Sequence, residues 1–138
     1  LTEVEAKAKE AGARRALRLS VAGPFHCPLM QKAADEFEKA ISDIQFNDPK
    51  IELFSNVTGK KAVNGEEIKK NAVLHLTNPV RWTSEEAVLN DLIKASGDEW
   101  ELIEPGVGAV LTGLWGKSGF SETAECKAVN SAESIGNL

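Results

Sequence analysis

His26 is the residue whose setting best suits chemistry. It lies in Leu19-Ser-Val-Ala-Gly-Pro-Phe-His-Cys-Pro-Leu-Met30, which reads as the end of a buried strand, a tight Gly23-Pro24 corner and, from Pro28, an amphipathic helix. A histidine held on such a turn can take a proton from a nucleophile, because imidazole titrates near neutral pH. No nucleophile is evident to serve it. The G-x-S-x-G elbow is absent, and Cys27, its neighbour in an extended segment, should point to the opposite face. Two readings follow. A lone histidine beside an apolar strand is commonly structural; otherwise His26 is half of a catalytic pair whose other half lies outside this sequence.

Other chemistry-like patterns fail on spacing. Gly116-Lys117-Ser118 resembles the tail of a phosphate loop, but Leu111 stands where the first glycine must be. Gly106-Val107-Gly108 lacks the third glycine and the downstream acid of a dinucleotide fingerprint. His26 and His75 are far apart, with no converging Cys or His to make a metal site. Cys27 and Cys126 form no metal-type spacing either, and two free thiols in a reducing cytosol is the expectation.

The elements that must carry these residues belong to one domain of 138 residues, 42% apolar and 27% charged. A net charge of −5 argues against a nucleic-acid partner, since little here could displace counterions along a phosphate backbone. No apolar run is long enough to span a bilayer and no targeting segment is evident, so the expectation is a cytoplasmic protein without a membrane partner.

Along the chain, a capping-box spacing at Thr2 and Glu5 opens a helix that runs to Gly12. Alternation from Ala16 to Val21 predicts a strand. Leu29, Met30, Ala33, Ala34, Phe37, Ala40, Ile41 and Ile44 form a helical stripe ended by Asn47-Asp48-Pro49. A strand is expected over Ile51–Val57, a polar loop over Lys60–Gly65 and a short helix over Glu66–Leu74. Thr83 with Glu86 is a second capping-box spacing, opening a helix to Gly97. Trp100–Ile103 reads as a strand, Ala109–Trp115 as a helix and Cys126–Asn130 as a further strand. Strands alternating with helices predict an α/β layer structure with a largely parallel sheet.

Four blocks, with Ala11-Gly12-Ala13-Arg14-Arg15-Ala16 before them, carry a family resemblance. They are Gly23-Pro-Phe-His-Cys-Pro-Leu-Met30, Ser55-Asn-Val-Thr-Gly59, Asn78-Pro-Val-Arg-Trp82 and Val110-Leu-Thr-Gly-Leu114. In order and spacing the chain resembles malonyl-CoA:acyl-carrier-protein transacylase up to Leu114, after which the likeness fades.

The resemblance implies acyl transfer through a covalent serine ester. It implies malonyl-CoA as the substrate, no permanently bound cofactor, and acyl carrier protein and a coenzyme A thioester as partners. The family's serine, oxyanion-hole glutamine and carboxylate-binding arginine all lie upstream of the matched blocks. The chain is therefore expected to be the C-terminal part of such an enzyme, inactive alone. Residues 1–15 would be the last helix of a ferredoxin-like small subdomain, and 16–138 the C-terminal half of an α/β-hydrolase-like large subdomain.

By the same resemblance, His26 is the general base. Phe25 matches the bulky residue of malonyl-selective members, where methylmalonyl-selective ones tend to have serine. Val21 and Val110 align with positions lining the acyl pocket, or are plain core. His75 stands where many members have glutamine, at a position whose backbone carbonyl orients the catalytic imidazole; a carbonyl does not depend on side-chain type. Glu104-Pro-Gly-Val-Gly108 departs from the usual Glu-Val-Gly-Pro-Gly, with the proline and valine exchanged. Two rivals remain: a piece of a polyketide-synthase acyltransferase domain, and a non-catalytic α/β module that binds an acyl carrier. A surface for an acidic carrier would draw on Arg14, Arg15, Arg18, Lys60, Lys61 and Arg81.

Overall fold

A computed structural model describes residues 1–18 and 21–136. Helix α1 (Thr2–Glu10) comes first. A 3-10 turn at Pro28–Met30 leads into α2 (Gln31–Ala40), and strands β1 (Phe54–Ser55) and β2 (Lys60–Lys61) form a hairpin. Then come α3 (Gly65–Leu74), α4 (Trp82–Ser96), β3 (Glu101–Pro105), α5 (Val110–Trp115), β4 (Glu125–Val129) and a short α6 (Ala132–Ile135).

The expected α/β class holds, but the sheet is smaller than the alternation implied. Among the described residues there are two two-stranded sheets: β1 with β2, antiparallel, and β3 with β4, parallel. The second is a β-α-β unit with α5 as its crossover, in register Leu102 with Cys126 and Ile103 with Lys127.

The strand expected over Ala16–Val21 is not formed at residues 16–18 or 21, and Leu19 and Ser20 lie outside the described residues. Alternation alone does not make a strand; its backbone needs a ladder partner. Here Arg18 is drawn to α1 instead, pairing with Glu5 and donating from Nη2 to Thr2 Oγ1 at 2.7 Å. Those bonds also occupy the side chains of the expected capping box, and α1 begins after Leu1 with no side-chain cap.

The strand expected over 51–57 shortens for the same reason. Among the described residues its ladder partner is Lys60–Lys61, which makes a strand of the expected loop; Ala62 N donates to Leu53 O at 2.8 Å just beyond it. Helix α2 stops at Ala40, short of Ile44, and Lys69 of α3 donates to the carbonyls of Ser42 (2.6 Å) and Ile44 (3.0 Å) in the turn that follows. Trp82 is already helical in α4, so Thr83 sits inside the first turn and caps nothing. By contrast Asn64 caps α3, accepting from Glu67 N at 2.9 Å, while the Glu67 carboxylate accepts from Val63 N at 2.8 Å.

Two glycines mark close approaches. Gly59, in the β1–β2 turn, has φ of +66°, and a Cβ there would lie 2.5 Å from Ser84 Cβ of α4. Gly65, first in α3, passes so near Phe46 that a Cβ would sit 2.0 Å from its carbonyl oxygen.

The tightest core joins α4, α5 and the parallel pair. Ile93, Trp115 and Ala124 are buried there, with Leu89, Leu102, Phe120 and Cys126 packed around them. Trp115 Nε1 donates to Ala124 O at 2.9 Å, satisfying its polar edge inside that core. Elsewhere large apolar side chains stand exposed, among them Leu17, Leu29, Ile51 and Val63. No described helix is long and apolar enough to cross a membrane.

Candidate active site

The Gly23–Pro28 corner forms as an irregular turn and holds His26 in an unusual way. His26 has φ of +61°, a left-handed conformation that non-glycine residues adopt at a cost. Two bonds from one peptide segment hold it there. The His26 backbone N–H donates to Leu76 O at 3.0 Å, and its ring Nδ1 lies 2.8 Å from His75 O. A carbonyl only accepts, so the proton in that second bond is on Nδ1. In the neutral ring Nε2 is then left as the basic nitrogen. This is the state a general base requires, set by backbone rather than by a side-chain acid.

His75 is the C-cap of α3, and Leu76 and Thr77 continue in tight turns, with Leu76 N donating to Val73 O and Thr77 N to Leu74 O. The end of α3 thus presents two successive carbonyls to the His26 turn. The His75 ring also packs on the His26 ring, centroids 4.6 Å apart and inclined at 37°. Burial, reinforced by repulsion from His26, holds the His75 pKa below the ordinary histidine value. His75 therefore stays neutral where an unperturbed histidine would begin to charge.

Behind His75 lies a polar group not anticipated from the residues alone. The Asn56 amide sits between His75 and Glu85 of α4. With its nitrogen toward Glu85 it donates to both carboxylate oxygens, at 2.7 and 2.8 Å. The amide atom facing His75 Nε2, 3.5 Å away, is then the oxygen. Glu85 is buried, and burial raises its pKa. The hairpin that carries Asn56 is pinned to α4 nearby: Arg81 N donates to Asn56 O at 2.8 Å, and Arg81 Nε to Val57 O at 3.0 Å. A cleft lined by Phe54, Asn56, Val57, Asn71 and His75 opens alongside.

Of the residues expected at the site, Phe25, His26 and His75 come together. Phe25 is half-exposed, its ring centroid 6.4 Å from that of His26. Val21 and Val110 are both exposed, the latter as the first residue of α5. Cys27 and Cys126 are free thiols; Cys27 Sγ donates to the Pro24 carbonyl at 3.0 Å. Of the basic residues, Arg18 and Lys61 are paired with Glu5 and Glu52, and Arg81 with the Val57 carbonyl, while Arg14, Arg15 and Lys60 are exposed.

The altered glycine loop after β3 is ordered by Glu104. Its carboxylate accepts from Leu111 N (2.9 Å), Thr112 N (2.8 Å) and Thr112 Oγ1 (2.7 Å), closing the N-terminus of α5. Those amide donors, Thr112 first and Leu111 next, hold the Glu104 carboxyl below its ordinary value. Pro105 ends β3, and Gly106 N donates to Val129 O at 3.1 Å. The exchanged proline and valine therefore leave the strand and the helix cap intact.

No family model matches the chain. It is 43% identical over 109 residues to the malonyl CoA-acyl carrier protein transacylase of Escherichia coli K12, a match covering 79% of this chain and 34% of that protein. Among solved structures it is similar to an acyl carrier protein S-malonyltransferase of Vibrio cholerae, with a TM-score of 0.78 and 39% identity over 99% of this chain and 42% of that one. It is also similar to a malonyl-transacylase in complex with a type II polyketide acyl-carrier protein, with a TM-score of 0.77 and 36% identity over 97% of this chain and 41% of that one. The chain thus spans about a third of the length of the curated relatives it matches. The resemblance carried by the four sequence blocks is confirmed: the chain is similar to malonyl-CoA:acyl-carrier-protein transacylases.

Proposed function

We propose that this chain is the C-terminal part of a malonyl-CoA:acyl-carrier-protein transacylase and supplies its general base. The observation that carries the reading is the His26 geometry, with Nδ1–H held by the His75 carbonyl and Nε2 left basic. The serine nucleophile would come from a preceding segment. Residues 1–15 would close a ferredoxin-like small subdomain, and residues 16–138 would complete an α/β-hydrolase-like large one.

The chemistry follows from where the proton can go. His26 Nε2 takes the serine hydroxyl proton as the serine oxygen attacks the thioester carbon of malonyl-CoA. The C–S bond breaks, and the departing coenzyme A thiolate takes that proton from the imidazolium. In the second half-reaction His26 takes the proton of the carrier's phosphopantetheine thiol. The sulfur attacks the malonyl-serine ester, and the serine oxygen leaves with the proton. General-base help of this kind is worth roughly 10²–10⁴ in rate. A neutral His75 suits the cycle, since a second positive ring against His26 would oppose imidazolium formation.

Phe25, exposed beside His26, would narrow the space for an α-methyl group and so favour malonyl over methylmalonyl units. Val21 and Val110 would meet the acyl chain only with the rest of the enzyme in place. Partnership with an acyl carrier protein draws support from the structurally similar malonyl-transacylase that binds one. The same structure favours keeping a polyketide setting as the second reading.

Incubation of the isolated chain with radiolabelled malonyl-CoA should leave no covalent label on the protein. A stable ester adduct on this chain would overturn the assignment of the nucleophile to another segment.

A further inference from the structure

The transacylase reading uses His26, the His75 carbonyl and Phe25, but not the polar group behind them. Asn56 is fixed at its backbone by Arg81, whose N–H donates to Asn56 O at 2.8 Å. With the amide assigned so that its nitrogen faces the buried Glu85, it donates to both carboxylate oxygens, at 2.7 and 2.8 Å. An amide held at its nitrogen cannot turn, so its oxygen faces His75 Nε2 at 3.5 Å, the outer edge of hydrogen-bond distance. An amide oxygen only accepts, so the nitrogen it faces is best protonated.

We propose that Glu85 and Asn56 are positioning residues that hold the His75 ring as its Nε2–H tautomer and anchor the peptide whose carbonyl orients His26. The chain of contacts runs from the Glu85 carboxylate to the Asn56 amide, then to His75 Nε2–H. From His75 it reaches His26 twice, through the His75 carbonyl that accepts from His26 Nδ1 and through the tilted contact of the two rings. Each acts through His75. The titratable groups meeting the His75 ring or its amide partner are His26 and Glu85. In this chain a histidine occupies the position and adds a ring nitrogen to hold, and the Glu85–Asn56 pair answers it.

For its catalytic meaning this inference rests on the transacylase reading, but its test does not. Long-range proton–nitrogen NMR spectra of the ¹⁵N-labelled chain report each imidazole tautomer directly, without substrate. When neutral, His75 is expected as the Nε2–H form and His26 as the Nδ1–H form, read at about pH 8. Asn56→Leu and Glu85→Leu should each convert the His75 signal to a tautomer mixture. Glu85→Gln keeps an acceptor oxygen for the amide and should retain the Nε2–H form. An Nδ1–H form of His75 in the unmodified chain would overturn the proposal without any variant, which covers the case in which the leucine variants fail to fold. An unchanged tautomer in a folded Asn56→Leu variant would overturn it equally. Absence of malonyl transfer would leave the tautomer result standing, so the two failures are distinguishable.

Discussion

Gly59→Ala isolates the contact that seats the β1–β2 hairpin, and with it Asn56, on α4. Two costs fall on the new methyl group. At φ of +66° an L-residue loses about 1–2 kcal/mol relative to its right-handed conformation. The methyl carbon would also stand 2.5 Å from Ser84 Cβ and 3.3 Å from Arg81 Cβ, where carbon pairs rest at about 3.5–4.0 Å. Both neighbours are side-chain stems, Ser84 in the first turn of α4 and Arg81 just before it, so the hairpin must lift, at a further cost of about 1–3 kcal/mol. The total is about 2–5 kcal/mol.

Gly97→Ala provides the control. Gly97 has φ of +68° with nothing within 4 Å of its Cβ position, so only the conformational cost of about 1–2 kcal/mol applies. Urea unfolding followed by tryptophan fluorescence should rank the two variants in that order. Adding Ser84→Gly to Gly59→Ala should recover part of the steric cost, even after the loss from a helix glycine. Equal destabilisation by Gly59→Ala and Gly97→Ala would refute the close approach.

Three further outcomes are expected. Glu104→Gln should weaken the cap of α5 most near neutral pH. A carboxyl whose pKa is lowered by folding stabilises above its unfolded value, ordinarily 4.5, and loses that contribution as pH falls through the lower folded value; the gap between wild type and variant in denaturant titrations should therefore close on acidification. Trp115→Phe should cost about 1–3 kcal/mol in the same unfolding assay, because the Ala124 carbonyl loses its 2.9 Å donor inside the core. On the proposed transacylase reading, Phe25→Ser in the full-length protein should raise methylmalonyl transfer relative to malonyl transfer, measured by competing the two thioesters; an unchanged ratio would remove Phe25 from selectivity.

Much of this arrangement was legible in the residues, for reasons that differ by element. The turn around His26 announced itself through Gly23, Pro24 and Pro28, whose backbone preferences are local. Helix α5 and strand β3 were visible because apolar periodicity and the Gly-rich link between them are local as well. The Ala16–Val21 strand was not formed at its described residues, because alternation says nothing about whether a ladder partner exists, and Arg18 found α1 instead. Lys60–Lys61 looked like loop for the converse reason: pairing with Phe54–Ser55 makes it a strand. Asn56 stood within a recognised block, yet its role needs Glu85, a residue on a different element. An acid inside a capping-box spacing reads as surface charge until the helix is turned and the side chain is found buried.

The most direct measurement of the proposed function is single-turnover acylation of the proposed full-length transacylase, comparing His26→Ala with wild type using labelled malonyl-CoA. Loss of the base that the His75 carbonyl orients should slow formation of the malonyl-serine ester by roughly 10²–10⁴. Acylation of the His26→Ala protein at the wild-type rate would contradict the assignment of His26 as the general base.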